Sequence, residues 1–146
     1  MQSLKVVEFD KLDTTIQELL REATKAREFA YCPYSNFSVG ACLQCEDGTL
    51  YRGCNVENAA YPAGICAERT AFVKAISEGK SKFKSLAVIA NQEKFITPPC
   101  GICRQFMSEF DDITVYLAKP TLESATVLKL SELLPFQFQL NSDFTF

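Results

Sequence analysis

The sequence predicts an α/β sandwich: three layers, with one mixed five-stranded sheet between helices on both faces. Three observations carry this reading. Helix-period and strand-period stretches alternate along the chain in the order α-ββ-α-β-α-β-β. Leu86-Ala87-Val88-Ile89-Ala90 is a short continuous apolar run, the mark of a strand covered on both faces. With 146 residues, 47% of them hydrophobic, the chain buries roughly 70% of its unfolded surface, enough for one core and a single domain over residues 1–146.

Taken in order, the first element is an amphipathic helix. From Asp10 or Asp13 as N-cap, Leu12, Ile16, Leu19, Leu20, Ala23 and Ala30 recur at helical spacing. Glu18, Arg21, Glu22, Lys25 and Glu28 fill the opposite face, and the stretch stops before Pro33. Phe37–Leu43 alternates large and small residues, as a strand with one buried face does. Asp47-Gly48 signals a hairpin turn, and Leu50–Cys54 returns as its partner. A loop from Asn55 to Pro62 leads to Cys66, where a second helix begins and runs to Gly79, a suitable C-terminal stop. After the Leu86–Ala90 strand, Pro98-Pro99 opens a third helix from Cys100 towards Phe110. Ile113–Ala118 and Thr126–Leu130 read as the last two strands, followed by a turn of helix and an aromatic tail.

Composition narrows the chemistry. A net charge of −3 provides no basic footprint for a nucleic-acid polymer or an anionic membrane. Met1–Asp10 is too charged for a signal peptide, and no stretch reaches transmembrane length. Seven cysteines are therefore expected as thiols and metal ligands in the cytoplasm rather than as a disulfide framework. The sequence has no histidine. Ser-His-Asp and Cys-His catalysis are excluded, as is any zinc site with imidazole ligands.

Two cysteine stretches remain, Cys66-Ala67-Glu68-Arg69 and Pro98-Pro99-Cys100-Gly101-Ile102-Cys103-Arg104-Gln105. Each lies where a loop enters a helix, and a helix start offers unpaired N–H groups and a positive partial charge. A thiol placed there has a lowered pKa, and the thiolate is the metal-binding form. Cys66, Cys100 and Cys103 converging from two helix starts would leave one position of a tetrahedral zinc open, which separates a catalytic site from a closed structural one. Glu68, two residues past Cys66, is then placed to handle a proton. A lone Cys-x-x-Cys would be weak support, shared by redox pairs and structural zinc. A redox dithiol, however, has no use for Cys66 or Glu68.

The set resembles the zinc deaminase signature H-x-E…P-C-x-x-C in its three-cysteine form. More specifically, the chain resembles the small, homotetrameric, all-cysteine cytidine deaminases of nucleoside salvage. The resemblance extends through Tyr31-Cys32-Pro33-Tyr34-Ser35, Phe37-Ser38-Val39-Gly40, Gly53-Cys54-Asn55-Val56-Glu57-Asn58-Ala59, both cysteine stretches and Glu132-Leu133-Leu134-Pro135. It implies a cytidine deaminase-like fold and one Zn2+ per subunit on Cys66, Cys100 and Cys103, with Glu68 as the proton shuttle. By the same resemblance Arg69 donates to the ligand sulfurs, Asn55 and Glu57 take the ribose hydroxyls, and the Ala67 N–H meets the pyrimidine 2-carbonyl. Phe37 and Tyr61 belong to the substrate contacts, although a strand Phe is commonly core. Phe138 is implied to cross a subunit interface and complete a neighbour's site in a homotetramer, while Phe144 and Phe146 are equally well placed to fold back on their own sheet. The activity implied is hydrolysis of cytidine and deoxycytidine to uridine and deoxyuridine with release of ammonia. A blasticidin-type deaminase shares the cysteine motif, and a structural zinc module is the non-enzymatic alternative, which would need a fourth protein ligand.

Overall fold

The sheet has six strands where the sequence predicts five. The computed structural model describes residues 3–140, so Phe144 and Phe146 lie outside the described residues. The strands are β1 Lys5–Glu8, β2 Val39–Cys45, β3 Leu50–Cys54, β4 Phe83–Ala90, β5 Thr114–Ala118 and β6 Ser124–Lys129. They lie in the order β1-β6-β5-β4-β2-β3. The additional strand, β1, is a four-residue edge strand that pairs with β6 alone, with Val7 opposite Ala125. Three of its four residues are exposed, so it lacks the one-sided burial that writes alternation into a sequence.

Helices cover both faces, as the three-layer prediction requires. On one face lies α1 (Thr14–Arg27), whose Ile16, Leu19, Leu20 and Ala23 pack on Cys42, Ala87, Ile89, Ala118 and Ala125. Its backbone rests directly on the sheet at Gly40, where a Cβ would come within 2.0 Å of the Ala23 carbonyl oxygen. On the other face lie α2 (Ala67–Ser77) and α3 (Gly101–Met107). Ala71, Phe72, Ala75, Cys103 and Met107 pack there against Ala41, Leu43, Leu86, Val88, Val115 and Leu117. A last turn, α4 (Leu130–Leu133), closes that side with Leu130.

The topology fixes where the cysteines meet. β2 is antiparallel to both β3 and β4, so β3 and β4 run in the same direction. α2 follows β3 and α3 follows β4, and both helices therefore start beyond the same end of the sheet. That is the end at which open α/β sheets bind ligands. β4 and β5, joined through α3, form the parallel pair.

α1 ends at Arg27, short of the boundary set by Pro33. The chain beyond it is claimed by a competing partner. The Tyr31 N–H donates to the Asn55 carbonyl at 3.0 Å, and the Glu57 N–H donates to the Tyr31 carbonyl at 2.7 Å. This parallel bridge between Tyr31 and Val56 draws the 31–37 segment alongside residues 55–57, in front of α2.

Candidate metal centre and active site

Cys66 and Cys100 are the N-cap residues of α2 and α3, both with extended backbone (φ −77°, ψ 157° and φ −67°, ψ 166°). Cys103 follows one turn into α3 and is fully buried. The three sulfurs lie within 4.8 Å of one another, and Cys66 Sγ and Cys100 Sγ are 3.8 Å apart. Two sulfurs at about 2.3 Å from a tetrahedral zinc stand about 3.8 Å apart, which the Cys66–Cys100 pair matches. α2 is placed by Gly53 on β3: a Cβ there would come within 2.3 Å of the Ala67 carbonyl oxygen and 2.5 Å of the Ala71 nitrogen. Only a glycine lets the first turn of α2, which carries the site, lie this close to the sheet.

The electrostatics favour a thiolate at the centre. Cys66 is brought down to about 5, chiefly by a hydrogen bond from the Cys103 thiol and against the cost of burial, with Arg69 and Cys100 helping. Cys103 is correspondingly pushed up, because its proton is shared with Cys66 and the thiol is buried. Arg69 Nη2 donates to Cys66 Sγ at 3.6 Å. Its Nε is buried without a hydrogen-bond partner, so this cation is committed to a site that gathers negative charge.

Glu68 sits in the first turn of α2 and is 4% exposed. Burial raises its carboxyl to about 6, opposed by its own backbone N–H and reinforced by the charge of Cys66. Cys103 Sγ lies 3.7 Å from Glu68 Oε2. A carboxylate with such an affinity, next to a metal site, can both take and give a proton near neutral pH.

Beside the sulfurs opens a cavity of about 570 Å³, within the range of small-molecule sites. Its wall includes Cys66, Arg69, Asn55, Glu57 and Tyr61, and also Tyr34, Ser35, Ile65 and Ile102, for which the sequence suggested no role. Tyr61 meets Tyr34 edge-to-face with ring centroids 5.9 Å apart. Phe37 is half-buried and stands off this wall, and Phe138 is 70% exposed and also off it.

Asn55 and Glu57 are already partly engaged. Asn55 Oδ1 accepts from the Val39 N–H and Nδ2 donates to the Phe37 carbonyl, both at 2.8 Å. Glu57 Oε1 accepts from the Tyr34 and Ser35 N–H groups, each at 3.1 Å, and Oε2 accepts from the Ser35 hydroxyl. By valence, Asn55 retains one N–H and one lone pair, and Glu57 one lone pair, for a ligand. Ser35 is the partner that sequence reasoning missed. Its signal was its place in the Tyr31–Ser35 stretch, to which no chemistry could be attached without the 31–56 bridge.

Comparison with known proteins agrees with this geometry. The profile of the cytidine and deoxycytidylate deaminase zinc-binding region matches residues 13–119. A cytidine deaminase of Sporosarcina psychrophila is 53% identical over 119 residues, covering 79% of this chain and 87% of the relative. The chain belongs to the cytidine deaminase family. A cytidine deaminase of Halalkalibacterium halodurans is 48% identical over 126 residues, 84% of this chain and 92% of that one. Among solved structures, the cytidine deaminase of Burkholderia pseudomallei superposes with a TM-score of 0.79 at 41% identity, covering 84% of this chain and 98% of its own. The chain is thus a hydrolase of the zinc-binding cytidine deaminase family, with Cys66, Cys100 and Cys103 as its zinc cluster. No helix among the described residues is long and apolar enough to cross a membrane.

Proposed function

We propose that the chain hydrolyses cytidine and deoxycytidine at C4, consuming one water and releasing uridine or deoxyuridine and ammonia. The observation that carries this reading is Glu68, a carboxylate 4% exposed that touches the three-sulfur cluster behind a nucleoside-sized cavity. Zinc on the three sulfurs supplies the Lewis acidity that makes water a nucleophile near neutral pH. The residues do the rest. Glu68 accepts one proton of the attacking water and passes it to ring N3 to relieve the charge built up by addition. It then takes the second proton from the added hydroxyl and delivers it to the amine, which departs as ammonia as the C4 carbonyl forms. Arg69 draws charge from Cys66, which offsets the electron-rich character of three thiolates. The Ala67 N–H, in the first turn of α2 where no intrahelical acceptor exists, is a donor for the pyrimidine 2-carbonyl.

The sugar end of the cavity belongs, on this reading, to Asn55, Glu57 and Tyr61. The donor and lone pairs left on Asn55 and Glu57 suit hydroxyl groups, which a free base lacks. Phe37 then acts from behind, its carbonyl orienting Asn55. A monomeric nucleoside, rather than a polymer, matches the net charge of −3.

The assembly proposed is a homotetramer with shared sites. Phe138 is 70% exposed and off the wall of its own chain's cavity, and Phe29, Tyr31 and Tyr61 are 73%, 57% and 76% exposed. Burying such rings gains about 1.5–3 kcal/mol each. Phe138 stacking on a neighbour's pyrimidine would add roughly 0.5–1.5 kcal/mol beyond its area. All seven cysteines are free, which supports a reducing, cytoplasmic setting.

The test is ammonia release by zinc-loaded protein from cytidine, deoxycytidine, cytosine and CMP, repeated with Asn55→Ala and Glu57→Ala. The two nucleosides should react, and both variants should lose kcat/KM at unchanged zinc content. Equal turnover of cytosine, or parental kcat/KM in both variants, contradicts the nucleoside reading. Full activity of a monomer in a dilution series followed by sedimentation contradicts the shared site.

A further inference from the structure

The chemistry above uses the face of α3 that carries Cys103 and leaves Arg104 and Gln105 unexplained. Arg104 is forked between two distant carbonyls. Its Nε donates at 2.7 Å to Pro99, the residue immediately before the ligand Cys100, and its Nη1 donates at 2.8 Å to Leu133, the last residue of α4. Bonds from a cation are shorter and roughly twice as strong as those between neutral groups. Pro99 is buried. The helix that follows takes its first carbonyl from Cys100, which accepts from the Arg104 N–H at 3.0 Å, and the Pro99 oxygen outside that ladder takes the guanidinium as its partner.

The second prong reaches the end of α4, where Leu133 packs against the core and the regular structure of the described residues stops. Beyond α4 the backbone from Leu134 to Leu140 has no strand or helix, and Phe136 adopts a positive φ of 52°. α3 reaches this segment a second time through Gln105, whose Nε2 donates to the Phe138 carbonyl at 3.1 Å. One short helix therefore has Cys100 as its N-cap and Cys103 in its first turn, and through Arg104 and Gln105 also pins the C-terminal segment.

We propose that Arg104 is a positioning residue that couples the metal site to the C-terminal segment. By holding the carbonyl before Cys100 and the end of α4 with one planar group, it links the metal state of the cysteines to the placement of residues 133–138. The coupling is reciprocal: zinc orders the segment, and the ordered segment slows zinc release. The inference rests on the cysteines holding zinc and is independent of which nucleoside is hydrolysed.

The test uses the full chain, parent and two variants, Arg104→Ala and Arg104→Lys, each stripped and zinc-loaded. Backbone amide exchange is read over residues 133–140 and zinc release is followed with a colorimetric chelator. In the parent, zinc should slow exchange in this segment. In Arg104→Ala the segment should no longer respond to zinc, and release should be about 10- to 100-fold faster, the range of an outer partner of a metal site. Lysine is a point donor that reaches one carbonyl at a time. Arg104→Lys should therefore keep the fold, recover part of the zinc retention, and still lack the segment's response; if Arg104→Ala fails to fold, this variant decides. An unaltered response in Arg104→Lys overturns the proposal. So does an Arg104→Ala variant that lowers the melting temperature of stripped and loaded protein equally while the response persists, because that is a structural role alone. A parent that binds no zinc would instead remove the metal-site reading itself.

Discussion

On one face of the sheet α1 lays Ile16, Leu19, Leu20 and Ala23 on apolar strand residues. On the other, α2 places Glu68 under the same degree of burial as its alanines and Phe72. Both helices approach through a glycine, Gly40 under α1 and Gly53 under α2, on neighbouring strands. The first face is an ordinary hydrophobic contact. The second buries the one charged residue so enclosed among the described residues, in a site that raises its affinity for a proton. Such burial costs stability unless the charge is paired or neutralised. Similar packing thus serves stability on one face, and on the other holds a strained electrostatic arrangement at the open end of the sheet.

The sharpest way to break this contrast is Glu68→Gln. With zinc retained, kcat should fall by about 10²-fold or more, the contribution of general acid–base catalysis. Turnover near the parental value in a zinc-replete variant would make Glu68 a packing residue like those under α1.

Arg69→Gln should follow, with zinc affinity or activity reduced by about 10- to 100-fold, since its guanidinium donates to Cys66 at 3.6 Å. Unchanged resistance to chelator together with unchanged activity would exclude that role.

The glycines separate the two faces most directly. Gly40→Ala and Gly53→Ala should each destabilise by about 1–3 kcal/mol, the usual cost of overpacking, measured by denaturant unfolding. Only Gly53→Ala, which displaces the first turn of α2, should also lower activity per mole of folded protein. Equal specific activity in the two variants would mean that the site tolerates movement of α2.

The smallest effect concerns pH. Glu57 is held below its usual range of 4.5, first by the Ser35 hydroxyl and then by the Ser35 and Tyr34 N–H groups, while its burial works the other way. A depressed carboxylate stabilises the fold above its unfolded value and loses that contribution as pH falls through the folded one. Amide exchange at Tyr34 and Ser35 should therefore stay slow to a lower pH in the parent than in Ser35→Ala. Coincident profiles would show that Ser35 does not set the carboxylate.

What could be read from the sequence follows the same division. The spacing of Ile16, Leu19, Leu20 and Ala23 and the unbroken run Leu86–Ala90 are one-dimensional patterns, and both became the elements expected. The cysteine stretches were legible because their spacing relative to helix starts is itself the chemistry. β1 was not, being an exposed edge strand without an alternating face. Ser35 and Arg104 escaped for another reason: each acts on atoms far away in sequence, Glu57 in one case and Leu133 in the other. Such links are made by the fold and leave no local period. Asn55 illustrates the middle ground, a residue expected at the sugar whose amide also ties Phe37 and Val39 to the loop.

The central claim is that a metal on Cys66, Cys100 and Cys103 and the carboxylate of Glu68 together deaminate cytidine. The most direct measurement strips the protein of metal, returns zinc in steps and follows ammonia released from cytidine. Activity should be absent at first, rise in proportion to added zinc and saturate at one equivalent per chain. Full ammonia release from the stripped protein, or none at one bound equivalent, would contradict it.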